Sequence, residues 1–336
     1  MSSALQCLSN TPQLTRWFLT GKYKSEINRN NPLGMNGLIA EAYGDLIEQI
    51  WTTQQTSLRP VNFKFTISKF NATFSGFLQH DTQELLAFLL DGLHEDLNRI
   101  TVQPYIELPD FIGLQEEEIA QCSWEYHLSR NDSIIVDLFQ GQFRSTLVCK
   151  GCHNVSVTFD PFMYLSLPLP VHTNDIRLSD CLDGFTREED LSERDLWHCP
   201  KCKQQQHVTK KLDIWRLPTI LVIHLKRFRH TPTSSNKIED YVDFPMVELD
   251  MTDRVVSILD PDSVTPENRL VYDLYAVDNH YGIDVGGGHY IAFAQNCEDG
   301  KWYEFDDANV DHADMRYVQS EAAYLLFYKR RETPSN

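Results

Sequence analysis

The spacing of apolar residues changes along the chain, and each spacing predicts an element. In residues 3–19, Leu5, Leu8, Leu14, Trp17, Phe18 and Leu19 are interrupted by Asn10-Thr11-Pro12. A helix, a turn and a second short helix fit this run, because proline suits a helix's first turn and breaks its interior. Ala42, Leu46, Ile47, Ile50 and Trp51 recur at helical spacing and predict another helix over residues 41–51. Leu85, Leu89, Leu93 and Leu97 form an i, i+4 stripe behind Asp81 and Glu84, a capping pair, so a helix is expected over about 82–99. Residues 60–71 read as a connection and the acidic run 101–125 as an irregular surface insertion, with a helix over 124–133.

Further along, the period shortens to two. IIVDLFQGQFRSTLVC (134–149) reads as two strands, and 159–170 as a strand edge running into proline-broken extended chain. A short helix is expected over residues 178–185. LPTILVIHLKRF (217–228) is a nearly continuous apolar run, which predicts a fully buried strand. TPTSSN (231–236) is a polar loop. Residues 271–277, 290–294 and 302–305 are three short strands, and AAYLLFYKRR (322–331) closes a sheet. His289 and Asp306 each fall at a strand end.

Composition narrows the class. At 336 residues, with 42% hydrophobic and 23% charged, the chain is an ordinary globular protein of one large domain or two. No apolar run approaches the ~20 residues that span a bilayer, and MSSALQCLSN lacks the basic head and apolar run of a signal peptide. No membrane association is expected, and a cytoplasmic or nuclear location is. The eight cysteines fit, with Cys7, Cys122, Cys181 and Cys297 scattered as unpaired thiols are. A formal net charge of −18 argues against a nucleic-acid partner and is compatible with a basic one.

Two constellations carry chemistry. Cys149 and Cys152 in LVCKGC, with Cys199 and Cys202 in HCPKC, make two CxxC turns, which together offer the four-thiolate shell of structural Zn²⁺. A redox pair is the competing reading. His289 needs a partner for its second ring nitrogen if it is to carry protons, and Asp306 lies at the right distance for a neighbouring antiparallel strand. Gly286, Gly287 and Gly288 before it let an extended ligand pass close to the main chain. A satisfied hairpin histidine and a turn-opening Asp306-Asp307 would explain these residues equally well.

The wording of these stretches resembles the ubiquitin-specific proteases, a family of papain-like cysteine deubiquitinases. Residues 272–307 resemble that family's histidine box, with His280, Gly282, Tyr290, Trp302 and Phe305 in place. The resemblance implies His289 as general base, Asp306 as the group that orients it and Asp307 as a helper on the water or oxyanion side. Gln79-His80-Asp81 is similar to the box written with two glutamines and an aspartate, whose side chains meet ubiquitin's tail. With His280 and Tyr290 these are the expected substrate-binding residues. MSSALQCLSN resembles the end of the cysteine box NxGNTCFMNSxLQxLxN, entered at its Met, with Ser2 where the family has Asn. By that alignment the nucleophile falls two positions before Met1. Cys7 matches a variable position inside the following helix and is expected to be a small buried hydrophobe.

Together these boxes imply an α+β, papain-like fold: a helical thumb (about 1–134), zinc-ribbon β fingers (about 135–212) and a β-rich palm (about 213–331), one catalytic domain missing its first strand. The zinc would form the fingertips, and residues 231–236 a mobile flap beside the ubiquitin tail. The implied activity is thiol hydrolysis of the isopeptide bond after ubiquitin's C-terminal glycine, with ubiquitin and ubiquitinated proteins as partners of a monomer. For want of the nucleophile, the chain as it stands is expected to be inactive. A ubiquitin-binding protein without catalysis is the alternative.

Overall fold

The computed structural model describes the chain except residues 54–56, 77, 106–110, 112, 171–174, 193–194, 231–234, 259–264, 266–268, 283–286 and 333–336. Helices fill the first part. Ser2–Ser9 and Pro12–Leu19 are the expected pair, with Pro12 opening the second, and Leu38–Thr52 and Thr82–Asp96 follow as the stripes predict. Asp81 caps the last of these, its carboxylate accepting from Gln83 N at 2.7 Å.

Three expectations are corrected. Residues 60–71 contain a helix, Val61–Phe70, rather than a plain connection. It was hidden because Phe63 and Ile67 are buried while Val61 and Phe65 face out, so no single apolar stripe stands clear. The acidic run opens a helix, Glu116–Leu128, whose first turn holds Glu116, Glu117 and Glu118 where the helix dipole favours them. Ile134–Phe139 is a helix, not a strand, its entry capped by the Ser133 hydroxyl accepting from Val136 N. One strand, Gly141–Cys149, follows.

The strands form two main sheets. The larger runs in the order Asn309–His312, Trp302–Asp306, Gly288–Gln295, Val271–Gly282, Ala323–Arg330, Ile220–Lys226 and Leu165–Pro168. Only the last pair is parallel. Alternation sorts its residues between two cores. Tyr290, Ala292 and Ala294 face the helices, whereas Phe293 faces the opposite cluster, and in Ala323–Arg330 Tyr324 and Phe327 oppose Leu326 and Tyr328. Ile220 and Val222 join the helical side, with Leu221 and Ile223 on the other. The run over 217–228 is continuously apolar because both faces of its strand are covered. The smaller sheet orders Val155–Phe162, Gly141–Cys149, Val208–Arg216 and Glu189–Asp190, and projects a ribbon of Trp197–Cys199 and Gln204–Gln206.

A buried carboxylate ties the helical part together. Asp96, fully buried at the end of Thr82–Asp96, accepts from the main-chain N–H groups of Met35, Gly37, Ile39 and Ala40 at 2.6–3.2 Å. Asn36 and Gly37 are both left-handed there (φ 58° and 78°), which turns four amides inward at the entrance of Leu38–Thr52.

Candidate active site and candidate metal centre

His289 and Asp306 meet as strand neighbours. Gly288–Gln295 pairs with Trp302–Asp306, and at its end His289 Nε2 lies 2.6 Å from Asp306 Oδ1. Since Nε2 is engaged, Nδ1 is the nitrogen left for proton transfer. Asp307, left-handed at φ 50°, turns the chain immediately afterwards, and its carboxylate lies within 4.8 Å of the ligand atoms of His289 and Asp306. All three positions open onto or border a cleft of about 350 Å³ between the helices and the large sheet. His289, Tyr290 and Asp307 line it on the sheet side, Gln79, His80 and Leu78 opposite, and Met1, Ser2 and Ser3 at the start of the first helix.

Two hydrogen bonds cross from the helical wall to the sheet. The buried Tyr324 hydroxyl donates to both Asp81 oxygens, at 2.9 and 2.7 Å, and burial together with Asp81 pushes that phenol's pKa up. Gln79 Oε1 accepts from Gly288 N at 2.7 Å. His80 packs edge-on against Phe74, ring centroids 5.6 Å apart. His280 stands behind the wall rather than on it. It is fully buried among Phe228, Tyr290 and Tyr324, and a Cβ on Gly288 would collide with its Nε2. Its expected contact with substrate is therefore replaced, in this geometry, by support of the glycine backbone. Of the glycine run, Gly286 lies outside the described residues, as do positions 231–234 of the expected flap.

Sequence reasoning passed over Ser3, Asp278 and Tyr324. Asp278, fully buried on Val271–Gly282, accepts from Ser3 Oγ at 3.3 Å, and burial lifts its carboxyl to about 7. The signal was an acid within the alternation of that strand. Cys7 is fully buried, its thiol pushed well above the usual range by burial and by Asp278. No cysteine lines the cleft among the described residues.

The four knuckle cysteines converge at the tip of the smaller sheet. Cys149 and Cys202 sulfurs are 4.0 Å apart, Cys152 and Cys199 3.6 Å. A tetrahedral shell with bonds of roughly 2.3 Å has edges of about 3.8 Å, so the spacing fits a bound metal ion. Both turns are built alike. His153 N donates to Cys149 O and Lys203 N to Cys199 O, each at 2.8 Å, with His153 and Lys203 left-handed at φ 57° and 55°. Four cysteines with this spacing can hold a metal.

Comparison with known proteins places the chain. A model described as ubiquitin carboxyl-terminal hydrolase matches residues 1–328, and the chain belongs to that family. It is 28% identical to ubiquitin carboxyl-terminal hydrolase 9 of Arabidopsis thaliana, covering 98% of this chain and 64% of that one. Human ubiquitin carboxyl-terminal hydrolase 15 is likewise 28% identical, with 99% and 65% covered. The chain thus spans just under two thirds of these relatives' length. Among solved structures it resembles the SAGA DUB module Ubp8/Sgf11/Sus1/Sgf73 bound to ubiquitin aldehyde, at 28% identity and TM-score 0.72, with 99% of this chain and 67% of that chain covered. The same module bound to monoubiquitin gives 29% and 0.71. The fold is the α+β catalytic fold of ubiquitin-specific proteases, with a cysteine cluster in the fingers.

Proposed function

We propose that this chain carries the base and acid of a cysteine-type ubiquitin isopeptidase and binds ubiquitin's C-terminal tail in the cleft. The observation that carries the proposal is the His289–Asp306 pair, held on adjacent strand ends and facing the start of the first helix across that cleft. In the complete reaction a thiolate attacks the carbonyl carbon of ubiquitin's terminal glycine. The C–N bond breaks as His289 gives its proton to the leaving lysine amine. Water then attacks the acyl-enzyme, losing a proton to His289 and releasing ubiquitin and the thiol. Asp306 keeps the imidazole oriented throughout, and Asp307 assists at the water. Gln79, His80, Asp81 and Tyr290 bind the tail, and His280 supports it from beneath.

The thiol is the component that these 336 residues do not bring to His289. Cys7 is buried and held protonated, and no described cysteine faces the cleft. The chain as it stands therefore binds ubiquitin without cleaving it, and residues preceding Met1 would have to supply the nucleophile. Zn²⁺ at Cys149, Cys152, Cys199 and Cys202 is structural, since the four thiolates leave no open position. We place the protein in cytoplasm or nucleus, as a monomer acting on ubiquitinated proteins.

The test compares this chain with a version extended upstream by an Asn-Thr-Cys-Phe-like segment, using a ubiquitin C-terminal fluorogenic substrate and a thiol-reactive ubiquitin probe. Turnover and labelling are expected only in the extended form. Comparable turnover by the short chain would overturn the assignment of the missing thiol. Binding by both forms and turnover by neither would favour the second reading, a ubiquitin-binding protein without catalysis.

A further inference from the structure

Acidic residues number 48 in this chain, yet none lies between Glu48 and Asp81. That interval carries Arg59, Lys64 and Lys69 instead, the reverse of a molecule whose formal net charge is −18. Its helix, Val61–Phe70, turns Phe63 and Ile67 inward. The outer face does not become polar. Val61 is 65%, Phe65 63% and Phe70 40% exposed, and Lys69 Nζ sits 4.4 Å from the centroid of the Phe65 ring. Val61, Phe65 and Lys69 are four residues apart and so form one stripe along the helix. Pro60, Lys64 and Leu78 line the cleft itself, so the stripe starts at its rim.

Resting on the proposed activity, we infer that this stripe docks an acidic segment with bulky apolar side chains, contributed by the protein from which ubiquitin is removed. Apolar surface of this kind beside isolated cations marks a contact for a partner rather than a solvated face. Charge selects the partner. An acidic segment meets Arg59 and Lys69 while its apolar side chains cover Phe65 and Val61. An extended anionic surface, such as lipid headgroups or duplex nucleic acid, would be repelled by the negative remainder of the molecule. A short segment reaches the basic interval without facing that remainder. Its place at the cleft rim puts the occupant next to the scissile bond, where the modified protein must leave.

The experiment uses the 336-residue chain and fluorescent peptides joined to ubiquitin through a lysine, the flanks being either acidic with Phe and Leu or basic with the same apolar residues. The acidic conjugate is expected to bind at least about fivefold more tightly than the basic one, and the advantage should shrink between about 50 and about 300 mM salt. It should vanish in the double variant Phe65→Ser, Lys69→Glu. Equal affinity for the two conjugates, or an advantage that survives the double variant, would overturn the inference. So would a concentration-dependent dimer dissolved by the same substitutions, which would make a second copy the occupant. Binding of unmodified ubiquitin separates the two readings. If it fails, the ubiquitin assignment falls, whereas the flank preference of the free peptides still reports on the stripe.

Discussion

Asp278→Asn is expected to stabilise the protein at neutral pH and to leave it unchanged in acid. The carboxyl is fully buried, Ser3 Oγ donates to Oδ2, and Oδ1 has no hydrogen-bond partner. Burial dominates and raises its pKa to about 7. The Met1 ammonium, Ser3 and Thr82 pull the other way, and Asp81 adds to the rise. Thr82 lies close enough to favour the charged form without making a hydrogen bond to it. In the unfolded chain the group titrates near 3.9. Between those values the folded state holds a proton that the unfolded state has lost, so stability falls as pH rises from about 4 to about 7. Three pH units at 1.36 kcal/mol each bound the penalty at roughly 4 kcal/mol. Asparagine keeps an acceptor for Ser3 and cannot ionise, but its buried NH₂ needs an acceptor of its own, at a cost of about 1–3 kcal/mol. A net gain of about 1–3 kcal/mol at pH 8 remains, and none at pH 4. Urea unfolding of both proteins at intervals across that range measures it. Parallel stability curves for wild type and variant would refute the reasoning, because they would mean that Asp278 titrates alike in both states.

Local features of the chain were legible, and distant partnerships were not. His289 and Asp306 could be paired from the sequence because a single hairpin separates them, and the two CxxC turns declare their own geometry. The Leu85, Leu89 and Leu93 stripe was likewise visible, since that helix buries one face only. Val61–Phe70 was not, because its outer face is apolar too. Ile134–Phe139 is rich in β-branched residues and reads as a strand until Ser133 is recognised as its cap. Tyr324 and Asp81 are 243 positions apart, Gln79 and Gly288 209, and no periodicity connects them. What places them together is the packing of the first helix and of Thr82–Asp96 on one face of the large sheet. That is a tertiary fact and leaves no spacing to read.

Asp96→Asn should cost the helical part about 3–6 kcal/mol, since two of the four amide donors would face an NH₂ and each bond to a charged acceptor is worth about 1.5–3 kcal/mol. A loss below about 1 kcal/mol in denaturant would show that the turn at Met35–Ala40 re-forms its bonds elsewhere. Chelation should release one Zn²⁺ per chain and unfold the Trp197–Cys199 and Gln204–Gln206 ribbon, because metal binding supplies ~10 kcal/mol or more of local folding free energy. Hydrogen exchange should then rise at the ribbon and not at Thr82–Asp96, and metal analysis finding no zinc would refute it. Gln79→Ala tests how the cleft opens. Of the two bridges between its walls, Tyr324 to Asp81 is buried and doubled, while Gln79 to Gly288 is single and exposed to solvent. An extended tail entering between the walls must take the Gly288 N–H for its own carbonyl, and the Gln79 amide oxygen already occupies that place. The exposed bridge is therefore the one that yields. Removing it should speed association of a ubiquitin tail peptide by a few-fold and, if Gln79 then has no contact with the tail, leave dissociation unchanged. Slower association or faster dissociation in stopped-flow binding would mean instead that Gln79 holds the tail directly, and that its bond to Gly288 only keeps the side chain in place until the tail arrives.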